Sequence, residues 1–104
     1  LSNANLTNAN LHGAYLENAN LSGAYLGGAN LWSAILIDAD LTGANLSNAN
    51  MPATNLNGAN LTNANLGGAH TGGGGMTVPG VFANSSTICP NGKKWGTAGY
   101  YCGF

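Results

Sequence analysis

The chain has 104 residues and almost no charge: two basic residues, three acidic residues and a formal net charge of −1. This length suits a single domain. The scarcity of Lys and Arg argues against a nucleic-acid binder, which needs clustered positive charge. No stretch approaches the ~20 consecutive apolar residues that a membrane-spanning helix requires.

A five-residue repeat fills residues 1–70. Leu stands at every fifth position from Leu1 to Leu66, with Met51 as the exception, and Ala stands two residues earlier, with Thr54 as the exception. In an α-helix this spacing rotates each Leu by about 140° and leaves no apolar face. In a straight strand it sends successive Leu side chains to opposite faces. A bend in every repeat solves both problems, because Leu and Ala can then point inward each time.

Regular bends predict a coil. Corners of roughly 90° return the chain above itself after four repeats, so one coil takes about 20 residues and coils stack at the ~4.8 Å spacing of β-strands. The residues two after each Leu are mostly Asn, Asp or Gly, which tolerate turns and a positive φ. We therefore predict an all-β solenoid stabilised by the stacking of neighbouring coils.

The A-(N/D)-L-x-x motif that repeats through residues 1–70 resembles that of the pentapeptide repeat proteins. The resemblance implies a right-handed quadrilateral β-helix of about 3.5 coils, with the Leu and the preceding small residue buried. Met51, Pro52 and Thr54 depart from the pattern and predict a local adjustment of one coil. Some family members resemble DNA in shape and charge and inhibit gyrase. Three acidic residues are too few for such an acidic surface.

The stacking of one coil on the next groups the surface residues into ladders. Asn10, Asn30 and Asn50 form one ladder, and Asn side chains stacked in this way can hydrogen-bond along the stack. Several outward positions of the first two coils instead carry apolar side chains, which form a candidate interaction patch: Tyr15, Tyr25, Trp32, Ile35 and Ile37. Such patches often mark interaction sites. The alternative is burial under the C-terminal tail or under a segment upstream of Leu1.

No pattern typical of catalysis or metal binding is found in the sequence. His12 and His70 are too far apart in the stack to share a metal, and neither has a carboxylate or Cys at ligand spacing. Gly92-Lys93 lacks the Gly that a phosphate-binding loop requires five positions earlier, where Thr87 stands. We therefore expect a protein that is not an enzyme and uses no cofactor.

The repeat stops at Thr71, and the composition changes. Residues 71–75 read as a Gly-rich linker, and residues 76–104 are too few to bury a core alone. We expect the aromatic side chains of this segment to dock on the open end or on a face of the coil. They are Phe82, Trp95, Tyr100, Tyr101 and Phe104.

Cys89 and Cys102 are the only cysteines. In so uncharged a chain the pair favours a structural disulfide, which would contribute ~3 kcal/mol on the entropic account and require an oxidising compartment. Two buried thiols in a cytosolic protein are the alternative. The Cys-Pro-Asn-Gly…Cys tail also resembles short endings that follow repeats in some exported bacterial proteins.

Together these features predict a non-enzymatic structural protein that is exported: extracellular, on the cell surface, in the periplasm or in the thylakoid lumen. The start at Leu1, in mid-repeat and without Met, suggests a trimmed product with an upstream portion missing. Because the ends of a β-helix are strand edges ready to pair, the first hypothesis is end-to-end assembly into a filament or envelope layer. The second is a monomeric protein-binding module. The expected partner is the chain itself or another protein, with no nucleic acid and no membrane span.

Overall fold

The computed structural model describes residues 1–72, 80–96 and Cys102. Tyr100, Tyr101 and Phe104, which we expected to dock, lie outside these residues, as do residues 73–75 of the linker. Within the described part of the chain there is no helix and no strand longer than one residue. The β structure consists of single backbone pairs that recur once in each five-residue repeat. None of the described residues forms a helix that could cross a membrane.

Parallel backbone pairs between equivalent residues of successive coils, such as Asn10 and Asn30, stack the coils on one another. Each pairing position continues up the stack as a ladder, which we name by its first residue. The Asn5 ladder holds Asn5, Tyr25, Asn45, Asn65 and Ile88; the Asn10 ladder Asn10, Asn30, Asn50 and His70; the Tyr15 ladder Tyr15, Ile35 and Asn55; the Asn20 ladder Asn20, Asp40, Asn60 and Phe82. The fold is therefore a β-helix with the predicted period.

Every repeat closes with a tight turn. At a typical corner the amide of Ala29 donates to the carbonyl oxygen of Leu26 at 3.0 Å. The residue between Leu and Ala that completes the turn has a positive φ in all repeats, which is the geometry of a type II turn. This confirms the turns predicted two residues after each Leu. Ser33 and Ala53 adopt the same φ of 57° although their types do not favour it.

The interior is a column of Leu side chains flanked by Ala. From Leu21 to Leu66 every Leu is 0% exposed, and Met51 in a Leu position is equally buried. Burial of each such side chain contributes ~1.5–3 kcal/mol. Leu1 in the first coil is 61% exposed, because no described residue lies beneath it. The stacked coils thus build the core that no single repeat could enclose.

The departures at Met51, Pro52 and Thr54 are absorbed without breaking the coil. Thr54 is fully buried in an Ala position, and its hydroxyl lies 2.8 Å from the carbonyl oxygens of both Leu31 and Met51. A buried hydroxyl needs such partners. Pro52 precedes the positive-φ Ala53, and this is the turn position in which the fixed φ of proline is favourable.

The tail resumes the β-helix after the repeat has ended. Phe82 pairs with Asn60, and Ile88 pairs with Asn65, so two ladders each gain one more member. Thr87 then occupies an Ala position and Cys89 a Leu position, and both are 0% exposed. The hydroxyl of Thr87 donates to the carbonyl oxygen of Leu61 at 2.7 Å, as that of Thr54 does to Leu31.

Candidate functional site

The ladder Asn side chains serve the turns more than each other. Typically Oδ1 accepts the amide two residues later, as when Thr62 donates to Asn60 at 3.0 Å. Asn50 differs because Pro52 has no N–H to donate. The side-chain nitrogen Nδ2 of Asn50 instead donates to Oδ1 of Asn30 at 3.4 Å. Among the described ladder residues this is the single hydrogen bond between side chains of successive coils. The stack-wise bonding expected of the Asn ladders is thus replaced by Asx turns in most coils.

Four of the five residues of the candidate patch lie together on one side of the β-helix. Tyr15 and Ile35 are paired neighbours in the Tyr15 ladder. Trp32 lies across the preceding corner from Ile35, and Ile37 lies two residues after it. Tyr25 does not join them, because it belongs to the Asn5 ladder, two pairing positions away around the coil.

The patch is open to solvent and has charged or polar neighbours at its lower corners. Tyr15 is 82% and Trp32 48% exposed, whereas Ile35 and Ile37 are partly buried. The ring of Trp32 lies above that of His12, with centroids 6.3 Å apart and planes tilted by 40°. The exposed Glu17 lies beneath Ile37. We call this set the aromatic face; its members are His12, Tyr15, Glu17, Trp32, Ile35 and Ile37. The patch predicted from the sequence did not include His12 and Glu17. The 20-residue stacking of the coils would have placed them beneath Trp32 and Ile37.

The tail covers one edge of the last coil. Beyond its parallel pair with Asn65, Ile88 forms an antiparallel pair with Lys94. The amide of Cys89 donates to the carbonyl oxygen of Lys93 at 2.7 Å, and that of Trp95 to the carbonyl oxygen of Thr87 at 2.8 Å. A further coil could not pair with Ile88 at this edge, because the hairpin occupies it. Natural sheets protect their edges in this manner.

Asn84 of the tail makes two polar contacts with Asn63 of the repeat. Its Oδ1 accepts the amide of Asn63 at 3.1 Å, and its Nδ2 donates to Oδ1 of Asn63 at 2.8 Å. This reciprocal pair fastens the tail to the last coil of the repeat. The expected docking of Phe82 takes a different form: its backbone continues the Asn20 ladder, but its ring points outward and is 63% exposed. Trp95 is partly buried.

Cys89 and Cys102 form a disulfide. Cys89 continues the Leu column above Leu66 and is 0% exposed, while Cys102 is 6% exposed. The predicted disulfide is therefore present. It joins Cys102, near the end of the tail, to Cys89, which continues the apolar column.

The described residues offer little that resembles a reaction centre. No group of three or more His, Cys, Asp or Glu lies close enough there to hold a metal ion. The side-chain hydroxyl and the amide of Thr42 both hydrogen-bond to Asp40 and hold the pKa of its carboxyl below the ordinary value, against a small opposing effect of burial. Asp40 replaces a ladder Asn, so the lowered pKa accompanies an Asx turn.

The fold and the surface together define a β-helical solenoid whose mainly polar exterior carries the aromatic face. The family profile for pentapeptide repeats, in eight copies, matches residues 1–33 and 34–70. The chain belongs to the pentapeptide repeat family. No match was found among the curated proteins.

Two solved structures support the same assignment. The pentapeptide repeat protein Rfr23 from the cyanobacterium Cyanothece 51142 is 40% identical over 81% of this chain, with a TM-score of 0.64. A pentapeptide repeat protein from the thylakoid lumen of Arabidopsis thaliana is 36% identical over 78% of this chain, with a TM-score of 0.62. The match spans 59% of the length of each. These relatives imply that the β-helix is right-handed.

Proposed function

We propose that this chain is a non-enzymatic interaction scaffold that binds a protein through the aromatic face. The observation that carries the proposal is the exposure of Tyr15 and Trp32, at 82% and 48%, on a coil whose outward positions are otherwise mainly Asn, Ser, Thr and Gly. Exposed aromatic side chains are the usual anchors of protein interfaces. The right-handed four-sided form, with roughly 3.5 coils of repeat, is part of the proposal, and the recurrence of four ladders around the stack supports it.

The organisation that we propose has three parts. Residues 1–70 form the repeat, residues 71–75 link it to the tail, and residues 76–104 cap the upper end. The ladder pairs of Phe82 and Ile88, together with the Asn63–Asn84 contact, support the capping role.

We further propose an exported location. The disulfide supports it, because disulfides persist in oxidising compartments. The thylakoid-lumen relative is consistent with such a compartment. Intact mass measurement of protein isolated from its native source, with thiols alkylated and no reductant added, tests this proposal. A mass showing two alkylated cysteines would contradict it.

End-to-end assembly into a filament or envelope layer is the second candidate. A net charge of −1 supports it, because copies of the chain repel one another only weakly. The Lys94 strand opposes it at the upper end, since it occupies the edge of Ile88. Negative-stain electron microscopy over a concentration series distinguishes the candidates: fibres with an axial repeat of a few coils favour end-to-end assembly, and uniform small particles favour the scaffold.

The scaffold proposal is tested by paired substitutions of two exposed aromatic residues. Trp32→Asp alters the aromatic face, and Tyr25→Asp alters a comparably exposed residue of a different ladder (48% and 55% exposed). Both immobilised variants are compared with the wild type for capture of native partner proteins, quantified by mass spectrometry. We expect the amount of captured partner to fall at least about tenfold for Trp32→Asp alone, as for an aromatic anchor that becomes buried in the interface. Circular dichroism spectra of both variants should match the wild type. Equal capture by all three proteins would refute the proposal.

A further inference from the structure

We infer that the aromatic face binds a second copy of this chain, side by side, with the two β-helix axes parallel. The inference rests on the proposed function, because it names the partner of the same surface. It concerns the side of the β-helix and requires no free coil end.

The aromatic face is a grid of two rows and three columns. His12, Tyr15 and Glu17 form the lower row, and the equivalent residues of the next coil form the upper row: Trp32, Ile35 and Ile37. The columns are set by observed contacts. Tyr15 pairs with Ile35, the rings of His12 and Trp32 are adjacent, and the amide of Asn18 donates to the carbonyl oxygen of Ile37 at 2.9 Å beside Glu17.

A two-fold axis parallel to the coil axis makes this grid complementary to itself. The axis lies in front of the Tyr15–Ile35 column, midway between the two copies, and exchanges the left and right columns while it preserves the rows. His12 then opposes Glu17 of the partner subunit, and Trp32 opposes Ile37 of the partner subunit. Tyr15 and Ile35 meet their own copies. Such a self-matching contact is the normal interface of a symmetric dimer.

Charge selects this arrangement over the antiparallel one. An imidazole N–H can donate to a carboxylate whether or not the ring is protonated. The parallel dimer therefore gives each of its two Glu17 carboxylates one His12 donor. An axis perpendicular to the coil axis would place His12 against Trp32 and Glu17 against Ile37. It would thereby remove a carboxylate from water without a partner, which is costly. Asp38, the other charged residue nearby, is exposed at the corner beyond Ile37, outside the grid.

The low net charge of the chain permits contact between two copies. With a net charge of −1, two copies repel each other weakly. No described residue of the tail covers Tyr15, which remains 82% exposed. The apolar centre with polar positions at its lower corners also has the composition of an interface core and rim.

Complementary charge reversal tests the inference. The acidic variant carries His12→Glu, and the basic variant carries His12→Lys together with Glu17→Lys. In a parallel homodimer of either variant like charges oppose each other twice, so we expect sedimentation velocity to show at least about tenfold weaker dimerisation. In an equimolar mixture each carboxylate of the acidic variant meets a lysine of the basic one. The mixture should therefore recover a dimer that neither variant forms alone.

Further variants localise the contact. Tyr15→Asp places two carboxylates on the axis and should abolish the dimer, whereas Tyr25→Asp should leave it unchanged. Thermal unfolding of every variant checks the fold, and rescue in the mixture excludes misfolding as the cause of dissociation.

The outcomes separate this inference from the proposed function. A wild type that stays monomeric up to about 1 mM, the range of the weakest specific contacts, overturns the dimer. A wild-type dimer that the mixture fails to restore overturns the parallel arrangement. If the wild type is monomeric but Trp32→Asp still abolishes capture of a different protein, the inference fails and the scaffold function survives. If capture is also independent of Trp32, both fail.

Discussion

Oδ1 of Asp38 occupies the space in which a side chain on Gly58 would begin. The two residues stand in equivalent turns of successive coils, and both have a positive φ, 54° and 68°. Asn48 is related to Gly68 in the same way. In both pairs the Asn or Asp of one turn reaches the coil above it, and the residue that it meets there is a glycine.

Substitution of Gly58 should therefore cost more than the loss of backbone freedom alone. Gly43 has a similar φ of +66° but nothing within 4 Å of an added Cβ. We expect Gly43→Ala to lower the free energy of unfolding by about 1–2 kcal/mol, the cost of the left-handed conformation, and Gly58→Ala to lower it further by collision with Asp38. Urea unfolding measures both losses.

A double-mutant cycle isolates the collision. Asp38→Ala in the Gly58→Ala background should recover the difference between the two glycine sites, because the obstructing oxygen is gone. Equal losses at Gly43 and Gly58, or no coupling between positions 38 and 58, would contradict this account.

Thr54 should be more than a tolerated substitute for Ala. Thr54→Val retains the shape but removes the hydroxyl that lies 2.8 Å from the carbonyl oxygens of Leu31 and Met51. We expect a loss of about 1–2 kcal/mol, typical for a buried hydrogen-bonding group. Thr62→Val, at a partly exposed turn position, serves as the control and should change the free energy of unfolding by less than about 0.5 kcal/mol. The reverse ranking would show that the hydroxyl of Thr54 contributes nothing.

The Asn63–Asn84 contact should control local opening at the upper end. The amides of Leu61 and Leu66 donate to the tail carbonyls of Phe82 and Ile88. We expect Asn84→Ala to speed hydrogen exchange at both amides by about tenfold or more, because local opening governs their exchange. Leu41 and Leu46, one coil lower, should be unaffected.

Asn91→Ala is the matched control for that experiment. Asn91 accepts the amide of Lys93 within the tail itself, so its loss does not remove a contact with Asn63. Faster exchange at Leu61 in both variants would mean that Asn84 has no special anchoring role.

Stability should fall at acidic pH through Asp40. Hydrogen bonds from the hydroxyl and amide of Thr42 lower the pKa of this carboxyl in the folded protein relative to its ordinary value of 3.8. Asp40 therefore contributes stability that is present above pH 3.8, and this contribution is lost as the pH falls through the lower pKa of the folded protein.

Asp40→Asn provides the control, because Asn20 and Asn60 occupy the same ladder and accept the same turn amide. We expect this variant to lose less stability than the wild type between pH 5 and pH 2. The comparison is made by urea unfolding at several pH values. Identical pH profiles would show that Asp40 does not carry the effect.

Much of the β-helix follows from the local pattern. A Leu at every fifth position can be buried only if the chain bends in each repeat, and Asn, Asp or Gly at the bend permits the positive φ. The separation of Tyr25 from Trp32 also follows from a coil of four repeats, although the apolar character of both suggested a single patch. The Asx turns were harder to predict from the sequence, because an Asn side chain can hydrogen-bond either along the stack or to an amide of its own turn. Pro52 leaves Asn50 without the turn donor, and there the alternative is realised.

The tail shows what required the tertiary structure. It pairs with the last coil out of the register of the repeat: Asn60 pairs with Phe82 instead of Gly80, and Asn65 with Ile88 instead of Ser85. The repeat pattern of the sequence does not predict these pairs, because they depend on contacts between distant residues. Asn63 contacts Asn84, and Thr87 contacts the carbonyl oxygen of Leu61. The same contacts bring Cys89 into the Leu column. A periodic sequence specifies its own register locally, whereas the pairings that close the end of the coil join the tail to residues distant in the sequence and depend on the stacked coils as a whole.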